Sequence, residues 1–234
     1  MNDPSTVKVV LLGESGVGKT SIISQFTKNQ FNLRVDTSIS ANFISKVVDF
    51  PEINRSIKFD IWDTVGQEKY RSLAKIFYRD AKIIAFVFDI TKRKSFDAIK
   101  NFWYNETQDN ADNNPIFALV GNKIDLYNNR DIDIDEGQTY ADEIGAIFQT
   151  TSALSNSGIS NLFNHLGKKF FIPEYDYKTG DKQAQENFMK KKKEERKSIL
   201  IRKKEEKDKE DKRIKLENNE NDQEDKNVTK KKCC

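Results

Sequence analysis

The chain of 234 residues carries 40 basic and 37 acidic side chains for a formal net charge of +3. Up to Pro173 there are 20 basic and 21 acidic residues and beyond it 20 and 16, so the positive excess lies entirely in the C-terminal part, which argues against a nucleic-acid footprint on the remainder. The two cysteines are Cys233 and Cys234, so a disulfide framework is excluded; with neither a signal-peptide pattern nor an apolar run of about 18 residues, the folded part is expected to face the cytosol.

From Met1 to Pro173 apolar runs alternate with turn residues, whereas from Glu174 onward Lys, Glu, Asp and Asn dominate. One globular domain over 1–173 and a charged, flexible or partly helical tail over 174–234 are therefore expected. The tail's Phe188, Ile199, Ile201, Ile214 and Leu216 are too sparse for a heptad seam.

In chain order, Val7 to Leu12 reads as a strand buried on both faces, and Lys19 to Thr27 as a helix with apolar spacing near 3.6. Asn42 to Phe50 and Arg55 to Trp62 read as a hairpin around Pro51-Glu52-Ile53-Asn54, where proline at the first turn position and the nearby Asn favour reversal. Ile83 to Asp89 and Ile116 to Val120 are further buried strands. Ser95 to Gln108, Asp135 to Ile144 and Ile159 to Phe170 are helices, with Ser95 and Asp135 as expected caps. The alternation predicts an α/β fold: a mostly parallel six-stranded sheet with one antiparallel edge strand and helices on both faces. Ligands of such sheets bind beyond the carboxyl ends of the strands, so motifs should follow strands directly.

They do. After the first strand, Gly13-Glu14-Ser15-Gly16-Val17-Gly18-Lys19-Thr20 matches GxxxxGK[ST]. Glycines let successive N–H groups turn toward phosphate, and the following helix presents its positive N-terminal end to the same charge. Lys19 is placed to reach the β- and γ-phosphates and the Thr20 hydroxyl to coordinate Mg2+; Glu14, Ser15, Gly16, Val17, Gly18 and Ser21 complete this contact segment. Taken alone, the loop indicates a nucleoside triphosphate of unspecified base.

After the third parallel strand come Asn122-Lys123-Ile124-Asp125, a match to NKxD. The Asp125 carboxylate can accept from the guanine N1–H and exocyclic amine together, donors that adenine lacks. A buried acceptor left unpaired costs roughly 1–3 kcal/mol, more when charged, so ATP should be rejected. Asn122 is expected to tie this loop to the phosphate loop, and the Lys123 stem to cover the base. Thr151-Ser152-Ala153 follows the last strand, where a backbone N–H can donate to guanine O6; Ser152, Ala153 and Leu154 are the expected contacts.

Between these loops stands Trp62-Asp63-Thr64-Val65-Gly66-Gln67-Glu68, followed by Lys69-Tyr70-Arg71-Ser72-Leu73 and Phe77-Tyr78-Arg79-Asp80-Ala81. Together with the two loops these residues resemble the Rab family of Ras-superfamily GTPases from about Val7 to Pro173. The resemblance implies a P-loop NTPase of the Ras-like G-domain type. It implies that Thr20, Ser38 and Asp63 hold Mg2+, Asp63 through water, that the Gly66 N–H senses the γ-phosphate, and that Gln67 orients the attacking water. Phe31 would flank the guanine ring, and Phe43, Trp62 and Phe77 would form the aromatic effector surface. No cis arginine is evident, so an activating protein is the expected source of fast turnover. The sole histidine, His165, is expected to pack or lie at the surface, with nothing paired to it.

The sequence departs from the family pattern at Val65 and across Ser38-Ile39-Ser40-Ala41-Asn42-Phe43, where the family has TIGVDF. Ser38 stands for a threonine, Ser40 for a glycine, and Val65 for the alanine before Gly66. Two added methyl groups at Val65 are expected to crowd the active loop, where overpacking typically costs about 1–3 kcal/mol; hydrolysis is therefore expected to be slower than with alanine there. The chain closes Lys230-Lys231-Lys232-Cys233-Cys234, which is not a CaaX signal but resembles the pair that Rab proteins have geranylgeranylated. Two lipids anchor stably where one is marginal, and each nearby lysine adds roughly 1 kcal/mol at an anionic surface.

The resemblance thus implies a monomeric, membrane-anchored GTP/GDP switch in vesicle trafficking, on the cytoplasmic face of an intracellular membrane and cycling with the cytosol. Its expected partners are an exchange factor, an activating protein, effectors, a GDP dissociation inhibitor and a prenylation escort, and no nucleic acid. The alternative is a GTP-bound recruitment module that hydrolyses slowly or not at all. Val65 and Ser38 favour the second reading, Gly66 and Gln67 the first.

Overall fold

A computed structural model describes residues 3–31, 42–64, 77–110 and 114–178; Ser38, Ser40, Val65, Gly66, Gln67, Cys233 and Cys234 lie outside the described residues. Strand β1 is Ser5–Leu12, β2 Asn42–Phe50, β3 Arg55–Asp63, β4 Ile83–Asp89, β5 Ile116–Asn122 and β6 Ile147–Thr151. They form one six-stranded sheet in the order β2-β3-β1-β4-β5-β6. Only β2, at the edge, runs antiparallel to its neighbour. The turn joining β2 to β3 is a 3-10 segment, Pro51–Ile53, closed by Asn54 in the left-handed region at φ 50. Proline supplies the fixed φ of the first position, and Asn tolerates the left-handed one.

Register assigns the layers. Val7, Val9 and Leu11 of β1 lie opposite Phe59, Ile61 and Asp63 of β3, and Val9 and Leu11 opposite Ile83 and Ala85 of β4, so all share one face. Helices α1, Lys19–Lys28, and α5, Ile159–Phe171, cover it. Phe26 stacks on Phe163 with centroids 3.5 Å apart, and both meet Phe59 edge-on at 6.3 and 5.5 Å. On the opposite face Phe86, Leu119 and Phe148 run across β4, β5 and β6. There Phe96 of α2, Arg93–Ala98, lies 4.9 Å from Phe88 and 5.7 Å from Tyr140 of α4, Ile134–Glu143. Strand β4 is buried along its whole length between these layers. In β3 burial alternates, which leaves one face of that end of the sheet accessible.

Helix α2 continues through a π-helical turn, Ile99–Trp103, into α3, Tyr104–Asn110. Neither expected cap holds. Lys92 occupies the N-cap position of α2, while Ser95 lies within the first turn and its hydroxyl donates to Lys92 O at 2.7 Å. The same hydroxyl accepts from the Asp89 N–H at 3.1 Å, so it joins the helix start to the end of the preceding strand. Asp133 takes the N-cap position of α4 without a side-chain capping bond, its carboxylate accepting from Arg130 at 2.7 Å instead, and Asp135 falls in the first turn, where its charge suits the positive helix end.

His165 packs as expected, but the expectation that nothing pairs with it is overturned. It is buried on α5 and its Nδ1 lies 2.7 Å from the Tyr175 hydroxyl, with the rings stacked at 5.8 Å. The chain after Phe171 turns back along α5, where Lys169 donates to the carbonyl of Tyr175 at 3.3 Å.

Candidate nucleotide-binding site

Strand β1 ends at Leu12 and the chain turns sharply into α1. A Cβ on Gly13, at φ +147, would stand 2.2 Å from Val87 O, and one on Gly18, at φ +101, 2.3 Å from Asn122 Nδ2. These two positions therefore require glycine, because both the backbone angle and the neighbouring atoms exclude a side chain. Lys19 curls back over the loop and donates to Gly13 O at 2.8 Å and Glu14 O at 3.0 Å. Burial lowers its pKa from 10.5 to about 8, against the opposing pull of Asp63 and Glu14. The ammonium is thus held at the N-terminal end of α1, where an anion would be received.

At the end of β3 the Thr20 hydroxyl donates to Asp63 Oδ2 at 2.6 Å. One residue on, the Thr64 hydroxyl donates to Leu11 O at 2.6 Å and fixes the departing chain to β1. Both Asp63 and Thr64 are buried.

The loop after β5 is joined to the phosphate loop directly. Asn122, 1% exposed, donates through Nδ2 to Val17 O at 2.8 Å and accepts through Oδ1 from Thr151 at 3.0 Å. Lys123 adopts φ 68, and its ammonium donates to Gly16 O at 2.8 Å and pairs with Asp89 Oδ2 at 2.7 Å. The Ser152 hydroxyl donates to Asp125 Oδ1 at 2.6 Å. Ala153 is buried beside them and Leu154 is exposed. Phe31 is half-buried two residues past Asn29, whose Oδ1 accepts from Asn156 at 2.8 Å. That bond ties the end of α1 to the segment following Leu154.

The structure therefore gathers Glu14 to Ser21, Asp63, Asn122, Lys123, Asp125 and Ser152 at the carboxyl ends of β1, β3, β5 and β6. Phe43, Trp62 and Phe77 form a second cluster, with centroids 5.3 Å apart for Phe43–Trp62 and 6.4 Å for Trp62–Phe77; Phe43 is 52% exposed. Sequence reasoning placed Thr64 and Thr151 within motifs without giving them a role, and gave Asp89 none. For the two threonines that placement was the available signal; Asp89 had none until the sheet set it beside Lys123.

The sequence profile of the Ras family matches residues 8–171. The chain belongs to this family. It is 38% identical over 183 residues to Ras-related protein RabJ of Dictyostelium discoideum, covering 78% of this chain and 70% of that protein. It is accordingly a Rab-type small GTPase, which binds GTP and hydrolyses it to GDP and phosphate.

Members of the Ras family generally use Mg2+ with the nucleotide, and the residues present fit it. No cluster of three or more His, Cys, Asp or Glu side chains occurs among the described residues, so an all-protein metal cage is not offered there. A hydroxyl and a carboxylate converge instead, Thr20 and Asp63. Hard oxygen donors in small number suit Mg2+, which keeps several waters and takes phosphate oxygens as its other ligands. Among the described residues no helix is long and apolar enough to cross a membrane.

Proposed function

We propose that this Rab-type GTPase works as a membrane-anchored switch in intracellular vesicle trafficking, on the cytoplasmic face of a membrane and in exchange with the cytosol. Residues 1–173 supply the GTPase domain, and 174–234 the tether ending in lipidated Cys233 and Cys234. The observation that carries the reading is the Thr20–Asp63 contact of 2.6 Å at the end of β3. Asp63 is two residues before Val65-Gly66-Gln67 and next to Trp62 of the aromatic cluster, so nucleotide state and partner surface meet within one short stretch of chain.

In this reading Asp125 selects guanine, Ser152, Ala153 and Leu154 border the base, and Phe31 and the Lys123 stem enclose it. Lys19 receives the β- and γ-phosphates together with N–H groups of residues 14–21. Thr20, Ser38 and Asp63 would hold Mg2+, which when bound would neutralise charge on the phosphates. Gly66 donates to the γ-phosphate and Gln67 orients water for in-line attack. The GTP state orders both switch segments and hydrolysis releases them. The monomer takes an exchange factor, an activating protein, effectors reading Phe43, Trp62 and Phe77, a GDP dissociation inhibitor and a prenylation escort.

A tagged chain should sit on an intracellular membrane and become diffuse when Cys233 and Cys234 are both replaced by serine. Membrane association unchanged by that replacement would contradict the anchoring. Val65 favours a second reading, a slowly hydrolysing module that stays GTP-bound and recruits partners.

A further inference from the structure

Asp89 has no part in the motifs, yet it is a carboxylate 1% exposed at the end of β4. Burying a charge is costly unless it is paired and hydrogen-bonded. Its Oδ1 accepts from the Thr91 N–H at 3.0 Å and the Thr91 hydroxyl at 2.7 Å, and its Oδ2 meets the Lys123 ammonium at 2.7 Å. Burial raises its pKa, but the bonds from Lys123 and Thr91 outweigh this and hold it below the ordinary value. Asp89 lies opposite Asn122 in the register of β4 and β5, and the Ile90 N–H donates to Asn122 O at 3.1 Å. The position of the carboxylate relative to the base-reading loop is therefore fixed by the sheet.

Lys123 is held at both sides of its ammonium, by Asp89 and by Gly16 O at 2.8 Å. A lysine side chain loses up to roughly 2 kcal/mol of rotamer freedom when it is fixed. With Asp89 in place that loss precedes nucleotide binding, and pre-organisation of this kind acts mainly on dissociation. We propose that Asp89 is a positioning residue for the guanine site: it holds Lys123 across the phosphate loop and so sets how long a nucleotide stays bound. The inference rests on the reading of Lys123 as the residue whose stem covers the base.

The test is displacement of a fluorescent methylanthraniloyl-GDP from the full chain by excess GDP. Asp89→Asn keeps an acceptor for Thr91 but turns an amide toward Lys123, and release should quicken on the order of tenfold. The single-turnover hydrolysis constant should stay within about twofold, since Asp89 acts through the base-side lysine and not through the γ-phosphate. Lys123→Met should also quicken release, and Asp89→Asn should add little to it. Should Asp89→Asn fail to fold, Thr91→Val loosens the same carboxylate while keeping its charge, and a smaller acceleration, again absent in Lys123→Met, is expected. Unchanged release in Asp89→Asn beside fast release in Lys123→Met would overturn the inference alone. So would effects that multiply in the double variant, or an equal loss in the hydrolysis step. Unchanged release in Lys123→Met would instead remove the base-covering reading, and the inference with it.

Discussion

Lys19 holds a buried ammonium among backbone carbonyls, and its titration is measurable. Its folded value of about 8 lies below the ordinary 10.5, so between these pH values the unfolded chain binds more protons than the folded one. Stability of the nucleotide-free protein should therefore rise with pH across that window, by at most about 1.4 kcal/mol per pH unit from this group. Urea unfolding from pH 7 to 10 should show the rise in the wild type and not in Lys19→Met; equal slopes would refute the burial argument. Val65 belongs to the same scale. Single-turnover hydrolysis should be faster in Val65→Ala than in the wild type, and no gain in rate would remove the crowding account. The tie from Asn122 to Val17 was legible in the sequence because the motif names both loops. Asp89 was not, because a carboxylate ending an apolar strand has no signature until the sheet places it beside Lys123. The packing of His165 was legible but its partner was not, because Tyr175 arrives only when the chain turns back along α5.

At the scale of elements, the strands were the most legible part. Ile83–Asp89 and Asn42–Phe50 have the expected bounds, since apolar runs bounded by turn residues leave little choice of register. Helix starts were less so, because Ser95 and Asp135 satisfy a capping pattern while the cap positions fall to Lys92 and Asp133. The π turn at Ile99–Trp103 leaves no mark in a periodicity of 3.6. Helix α5 carries a glycine whose meaning also needs the fold. A Cβ on Gly167 would lie 2.1 Å from Cζ of Phe50, a ring 1% exposed that also meets Phe171 edge-on at 6.2 Å. Alanine is favoured over glycine in a helix by roughly 0.8–1 kcal/mol, whereas overpacking a filled core costs about 1–3 kcal/mol. Gly167→Ala should thus lower the urea midpoint; a raised midpoint would show that Phe50 yields more readily than its burial implies.

For the whole molecule, the α/β architecture was legible because alternating short buried strands and amphipathic helices admit few other topologies. The site was legible to the extent that each motif follows a strand, and the sheet order then gathers them at one rim. The cross-links between motifs needed the fold: Thr20 to Asp63, Ser152 to Asp125 and Lys123 to Asp89. The phosphate and base loops themselves are joined by Asn122 to Val17 O and Lys123 to Gly16 O, bonds that leave the Asp125 carboxylate to the base, so base choice should reside in Asp125. Competition of GTP and ATP for the purified full chain measures this directly. The wild type should prefer GTP by roughly a thousandfold or more, and Asp125→Asn should lose that preference. A preference for GTP undiminished in Asp125→Asn would contradict the account.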